Sequence, residues 1–283
     1  LGGGDVSGYV GDSDIVMVPS IVDLAGLNRI SRGVIRRAAA AVCAMAGARE
    51  DEQPGKPVVA ATMFGNTTPA VGHARAVLEE AGMEVVVFPC SGASGRVMER
   101  LIGSGQVAGV LDITTTEWAD QLAGGVLAAG EERLDAAAQK GVPQVVAPGC
   151  LDMVNYRAPD TVPVRYRDRL FYRHNPDITL MRTSVEENRR LGEILAGKLN
   201  RGRGPCAVFL PLGGLSMIDS PGGPFWLPEA DRALFKALRS SLDPRIPVIE
   251  MECNINDPPF GRACAEKLLE LMGVGHGTGG VHV

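Results

Sequence analysis

The chain has 283 residues, 45% of them hydrophobic, and a formal net charge of −5. That length and apolar share support a sizeable core, in one large domain or two small ones. Lys and Arg form no stripe, aromatics at 5% are too sparse for a stacking platform, and no apolar run reaches the about 18 residues of a membrane span; direct nucleic-acid binding and membrane insertion are therefore not expected.

The six cysteines, Cys43, Cys90, Cys150, Cys206, Cys253 and Cys264, are dispersed and contain no C-x-x-C pair. This is the pattern of a reduced, cytoplasmic chain rather than a disulfide framework. Cys90 and Cys150 end apolar runs; they read as buried thiols, with a reactive thiol as the alternative. None of the four histidines stands at a metal-ligand spacing from a second ligand, so no metal site is predicted.

In chain order, Asp14–Val18 reads as a short strand. Leu24–Gly47 reads as one helix, or two joined near Gly33, and its alanine-rich half, Ala38–Ala46, is apolar nearly all round and expected to be buried. The charged stretch Arg49–Pro57, with Pro54-Gly55-Lys56-Pro57, reads as a linker. Beyond it, strands and helices alternate. Strands are predicted at Val58–Met63, Glu84–Phe88, Val107–Leu111, Gln144–Ala147, Ala207–Pro211 and Val248–Met251. Helices are predicted at Pro69–Ala81, Gly95–Ile102, Glu117–Leu122, Glu131–Lys140, Val185–Leu199, Pro228–Ser240 and Arg262–Met272. Such alternation implies right-handed βαβ crossovers: an α/β fold with a doubly wound, Rossmann-like parallel sheet and helices on both faces. Asp152–Thr183, rich in Arg and Tyr, breaks the rhythm and reads as a long functional or interface loop. The domain plan is a partial α/β subdomain over 1–53, a complete one over 54–272 and a flexible tail over 273–283.

The candidate site is a set of strand ends. In a parallel sheet the carboxyl ends of the strands face the ligand crevice, and helix N-termini there favour anions. After the first strand of the alternating region come Asn66, Thr67 and Thr68. After the second come Gly92, Ser94, Gly95 and Arg96, two glycines for close backbone approach and an arginine as counter-charge. After the third come Thr114, Thr115, Thr116 and Glu117, which have the form of a capping box. Asp112, Asp152 and Asp257 are further acids at strand ends, with Asn155 close to Asp152. Each loop alone suits an ordinary βα turn, and neither a Walker A sequence nor a full G-x-G-x-x-G occurs after a strand. Together they predict a small anionic or polar ligand.

The runs Val22–Arg32, Leu111–Glu117, Leu151–Tyr156, His174-Asn175-Pro176, Leu180–Thr183 and Asn254–Pro258 resemble the UPF0261, or Tm-1-like ATP-binding, family. The resemblance covers nearly the whole chain. It implies two α/β subdomains, ATP as ligand, with or without Mg²⁺, and a homodimer. Family members carry a further α/β stretch before Gly4-Asp5-Val6, which this chain is expected to lack. The expected function is nucleotide binding at the carboxyl edge of the sheet, with a small phosphorylated ligand as partner. Two alternatives remain at this stage: an enzyme for a small organic acid or sugar-like metabolite using Asp152 and the Arg-rich segment, and a dimeric interaction module without a ligand. The sequence names no reaction.

Overall fold

A computed structural model describes residues 7–11, 13–23, 25–48 and 55–274. The chain divides into two compact units, Leu1–Gly55 and Lys56–Val283.

The first unit holds a four-residue helix α1 (Ser7–Val10) and the long helix α2 (Arg29–Ala46). Asn28 starts α2: its Oδ1 accepts from Ile30 N–H and Ser31 N–H, both at 2.9 Å, and Ser31 Oγ accepts from Asn28 N–H in return. The helix is continuous through Gly33. Residues 14–18 are not a strand, because among the described residues of this unit there is no second strand to complete a ladder. Burial of the alanine-rich half is also not found: in α2 only Ser31 and Val34 are buried, while Val42 is 65% exposed and Met45 57%. Leu24 and residues 49–54 of the linker lie outside the described residues, as does the tail from residue 275.

The second unit is built on strands β1 (Val58–Met63), β2 (Glu84–Pro89), β3 (Gly109–Thr114), β4 (Gln144–Gly149), β5 (Met153–Tyr156), β6 (Phe171–Asn175), β7 (Ile178–Arg182), β8 (Cys206–Pro211) and β9 (Val248–Met251). Its helices are α3 (Thr68–Glu80), α4 (Ala93–Gly103), α5 (Glu117–Ala123), α6 (Ala136–Lys140), α7 (Val185–Leu199), α8 (Pro228–Ser241) and α9 (Pro258–Leu271). Six strands make one sheet in the order β2-β1-β3-β4-β8-β9, and every neighbouring pair is parallel.

The sheet is apolar on both faces, as a doubly covered sheet must be. Residues alternate between two cores with period two. Val59, Ala61, Leu111, Ile113, Val145, Ala147, Ala207 and Phe209 pack with α3 and α9, through Leu78, Phe260 and Leu268 among others. Val146, Val208 and Leu210 face α5, α7 and α8. Ala60 and Val110 face α4 and α6. Gly192 on α7 lets α8 approach closely: a Cβ there would lie 2.7 Å from Leu234 O.

The segment read as a long loop is instead a second, antiparallel sheet of order β5-β7-β6. Its strands are four or five residues long and carry Arg, His and Asn among the apolar positions, which hides the period-two signal. One of its faces joins the α5–α7–α8 core through Val154, Tyr156 and Met181, and Met153, Leu180 and Phe225 form a separate small core.

Candidate ligand-binding edge of the parallel sheet

The sheet order reverses at β1: β2 lies on one side and β3 on the other. A crevice opens at the carboxyl ends on either side of such a reversal, here between the loop after β1 and the loop after β3. The loop after β1 is held to the end of β3 by a 2.9 Å hydrogen bond between the buried Thr67 and Thr114 hydroxyls. Thr114 Oγ1 also donates to Thr62 O, and Thr115 Oγ1 donates to Ala147 O. Loops after β8 and β9 close in from the other side. Asn66 O accepts from Asn256 Nδ2 at 2.9 Å and from Met217 N–H at 3.1 Å, while Asn254 Nδ2 donates to three carbonyls, Gly213, Ser216 and Asp219.

A buried charge centre on Arg133 joins β3, the start of α5 and α4. Its guanidinium donates to both oxygens of Asp112, at 2.5 and 2.7 Å, and to Glu117 Oε2 at 2.7 Å, with Glu99 at 3.4 Å. The other lone pairs are also taken. Thr62 Oγ1 donates to Asp112, and Gly92 N–H donates to Glu117 Oε1 at 2.7 Å. Leu134 N–H and Ala136 N–H donate to Glu99. Burial, the largest influence, nevertheless raises the Glu99 pKa.

This arrangement corrects the expected capping box. Helix α5 starts at Glu117 with Thr116 at its N-cap and no side-chain cap bond. Thr114 turns into the sheet, and Glu117 reaches Arg133 and the turn after β2, because a buried carboxylate is held better by a guanidinium and a free N–H than by its own helix end. The glycines after β2 serve that same carboxylate. A Cβ on Gly95 would lie 2.5 Å from Glu117 Oε1, so the close approach expected for an external anion is made by an internal one.

The predicted residues therefore separate into two layers. Thr67, Gly92, Gly95, Thr114, Thr115, Thr116 and Glu117 are buried, and Thr116 Oγ1 has no hydrogen-bond partner. Thr68 and Arg96 are exposed, and Asn66 and Ser94 are partly so; Ser94 Oγ lies 3.1 Å from Ser91 Oγ. Cys90 and Cys150 are fully buried. The Cys90 thiol donates to Thr114 O, and burial raises both pKa values well above the ordinary thiol range, which keeps them protonated.

Asp152 belongs to a second buried centre, on Arg182. Arg182 donates to Asp231 Oδ1 at 2.6 Å, Phe225 O at 2.8 Å and Thr183 Oγ1 at 3.0 Å, with Asp219 at 3.5 Å. Among the described residues the Asp152 carboxylate receives only the Ser216 hydroxyl, at 2.9 Å, and its Oδ1 is buried without a partner. Burial first, then the neighbouring Asp219 carboxylate, lifts Asp152 well above the carboxylate range and Asp231 to about 7. Two other arginines of the segment are engaged elsewhere. Arg169 pairs with Glu187 at 2.6 Å, and Arg165 joins Tyr156 and Tyr166 on Ala123 O at the end of α5. Among the described residues the Asp152 carboxylate makes no hydrogen bond or ion pair with Arg157, Arg165, Arg167, Arg169 or Arg173. Asp257 stands at the N-cap of α9 and accepts from Asn254 N–H.

Sequence reasoning gave no role to Arg133 or Asp219, and read Arg182 and Ser216 only as members of the Arg-rich segment and of a strand-end loop. The acids whose carboxylates Arg133, Arg182 and Ser216 meet lie 16 to 64 positions away along the chain, and no local spacing marks such pairs. No group of three or more potential metal ligands occurs among the described residues.

Comparison with known proteins gives the family. The profile described as "Uncharacterised protein family (UPF0261) C-terminal domain" matches residues 56–272, and that of the N-terminal domain matches residues 1–51. A UPF0261 protein of Clostridium tetani is 47% identical over 274 residues, which is 96% of this chain and 68% of the relative. A UPF0261 protein of Rhizobium meliloti is 47% identical over 267 residues, 93% of this chain and 66% of the relative. The ToMV resistance protein Tm-1(GCR237) of Solanum lycopersicum is 40% identical over 276 residues, 95% of this chain and 37% of the relative. The chain thus spans about two thirds of the length of these bacterial relatives and little more than a third of the plant one. With both domain profiles matched along it, this chain belongs to the UPF0261 family.

Proposed function

We propose that this protein binds a nucleotide such as ATP, with or without Mg²⁺, at the carboxyl edge of its parallel sheet. The observation that carries the reading is the strand-order reversal at β1, with the loop after β1 locked to the end of β3 through Thr67 and Thr114. The outer layer suits the phosphate end of such a ligand. It offers the N-terminus of the 13-residue helix α3, the Thr68, Ser91 and Ser94 hydroxyls, the Asn66 amide and the exposed Arg96 on the first turn of α4. The inner layer, from Thr67 to the Arg133 centre, fixes those loops without touching the ligand. Its Glu117 carboxylate already occupies the Gly92 N–H, so phosphate sits outside that turn rather than within it.

The test is calorimetric titration of ATP, with and without Mg²⁺, into the protein and into its Arg96→Ala and Thr68→Ala variants. Saturable binding weakened about tenfold by R96A and a few-fold by T68A supports the reading. No heat in either condition, or the same affinity in all three proteins, overturns it.

A further inference from the structure

The small antiparallel sheet carries a pocket of its own. Arg173 on β6 and Tyr156 on β5 are both register partners of Thr179 on β7, so the three side chains share one face of the sheet. Two short 3₁₀ turns, Pro159–Thr161 and Val164–Tyr166, lie in the segment that connects β5 to β6. Residues of that segment and of the sheet enclose a pocket of about 510 Å³, within the range of small-molecule sites. Val162, Pro163, Val164 and Phe171 give it apolar walls, and Arg167, Arg173 and Thr179 line it as well, with Asp160 the one acid.

Two features of this pocket are left unsatisfied by the protein itself. Arg167 and Arg173 are exposed, and neither side chain makes an ion pair or hydrogen bond among the described residues. Thr179 is 4% exposed, and its hydroxyl is buried without a hydrogen-bond partner. A buried hydroxyl without a partner is costly, and two unpaired guanidiniums beside an apolar wall suit an anion that also has a hydrophobic body.

We propose that this pocket is a binding site for a small organic anion, separate from the sheet edge. The carboxylate or phosphate of the ligand is held by Arg167 and Arg173, the Thr179 hydroxyl donates to it, and the apolar body lies against Val162, Val164 and Phe171. Two arginines against Asp160 leave the pocket net positive, which excludes cationic ligands.

The test uses phenyl phosphate as probe, with benzyl alcohol as its uncharged counterpart and inorganic phosphate as its counterpart without a ring, each titrated into the whole chain by ligand-observed NMR. Phenyl phosphate is expected to bind at least about tenfold more tightly than either control, and Arg167→Ala and Arg173→Ala each to weaken it about tenfold. Thr179→Val separates binding from structure. It should weaken phenyl phosphate about threefold while raising Tm of the ligand-free protein, because it removes an unsatisfied buried group. Equal affinity for benzyl alcohol, unchanged affinity in the R167A/R173A double variant, or a T179V protein of lower Tm would each overturn the proposal. Displacement of phenyl phosphate by ATP would merge this pocket with the edge site and end its standing as a separate one. Absence of ATP binding alone leaves it intact.

Discussion

The two buried arginines invite comparison, since each gathers three acids. Around Arg133 the guanidinium reaches all three carboxylates, and hydroxyl and backbone N–H groups fill further lone pairs. Around Arg182 part of the guanidinium is spent on Phe225 O, the carbonyl of Asp152 and Thr183, and the Asp152 carboxylate is left with one hydroxyl. The acids of the second centre, Asp152, Asp219 and Asp231, are all lifted by burial. The difference lies in the donors that meet the acids, more of them around Arg133 than around Arg182, while burial raises a carboxyl in both centres, Glu99 beside Arg133 included.

Removing each arginine tests this most strongly. Arg133→Met should cost about 3–5 kcal/mol, because it strands acids that are tied into the sheet edge. Arg182→Met should cost less, about 1–3 kcal/mol near pH 6, and more as pH rises, because its acids already share protons there. Urea unfolding of both variants at pH 6 and 8 checks the order; equal costs with no pH dependence would break the comparison.

Asp120 sharpens it, because it has donors but no arginine. Its carboxylate accepts from Leu127 N–H, Asn155 N–H and Asn155 Nδ2, and burial still lifts its pKa to about 7. A raised folded-state pKa gives stability that is complete below the unfolded value and is lost as pH climbs through the folded one. The stability of the wild type relative to Asp120→Asn should therefore fall by roughly 2–3 kcal/mol between pH 5 and 8. A difference that stays flat or rises would show that the N–H donors alone keep Asp120 ionised.

Gly95→Ala tests how tightly the Arg133 side is packed. The new Cβ would press on Glu117 at 2.5 Å, so a loss of about 1–3 kcal/mol is expected in thermal unfolding. The smallest effect belongs to an exposed pair. Arg75 and Glu79 on α3 lie 2.6 Å apart with side chains 53% and 45% exposed, and Arg75→Ala should change the urea midpoint by the equivalent of about 0.5 kcal/mol or less.

Much of the fold was legible because its signals are local. The apolar strands covered on both faces read as continuous runs, and α7 announced itself through Ser184 and Glu187, whose reciprocal bonds form the capping box seen at its start. Asp14–Val18 misled because a strand depends on a partner that the run itself cannot show. The small sheet escaped because F-Y-R-H-N and I-T-L-M-R mix charge with apolar residues, and because Asp152–Thr183 as a whole looked like an Arg/Tyr-rich loop. At the site, the loops that converge were readable from their Gly, Ser and Thr. Their layering was not: Glu117 passes for a cap partner until Arg133, 16 residues on, takes it.

The small antiparallel sheet also bears on how the chain assembles. β4 must find β8 across a long connection, and β5 to β7 occupy about half of it. The pairing of Met153 with Arg182 closes that half on itself. Halving a loop lowers the entropy of closing it by about 0.6 kcal/mol. The insert thus acts as a clasp, shortening the path by which β4 and β8, neighbours in the parallel sheet, meet.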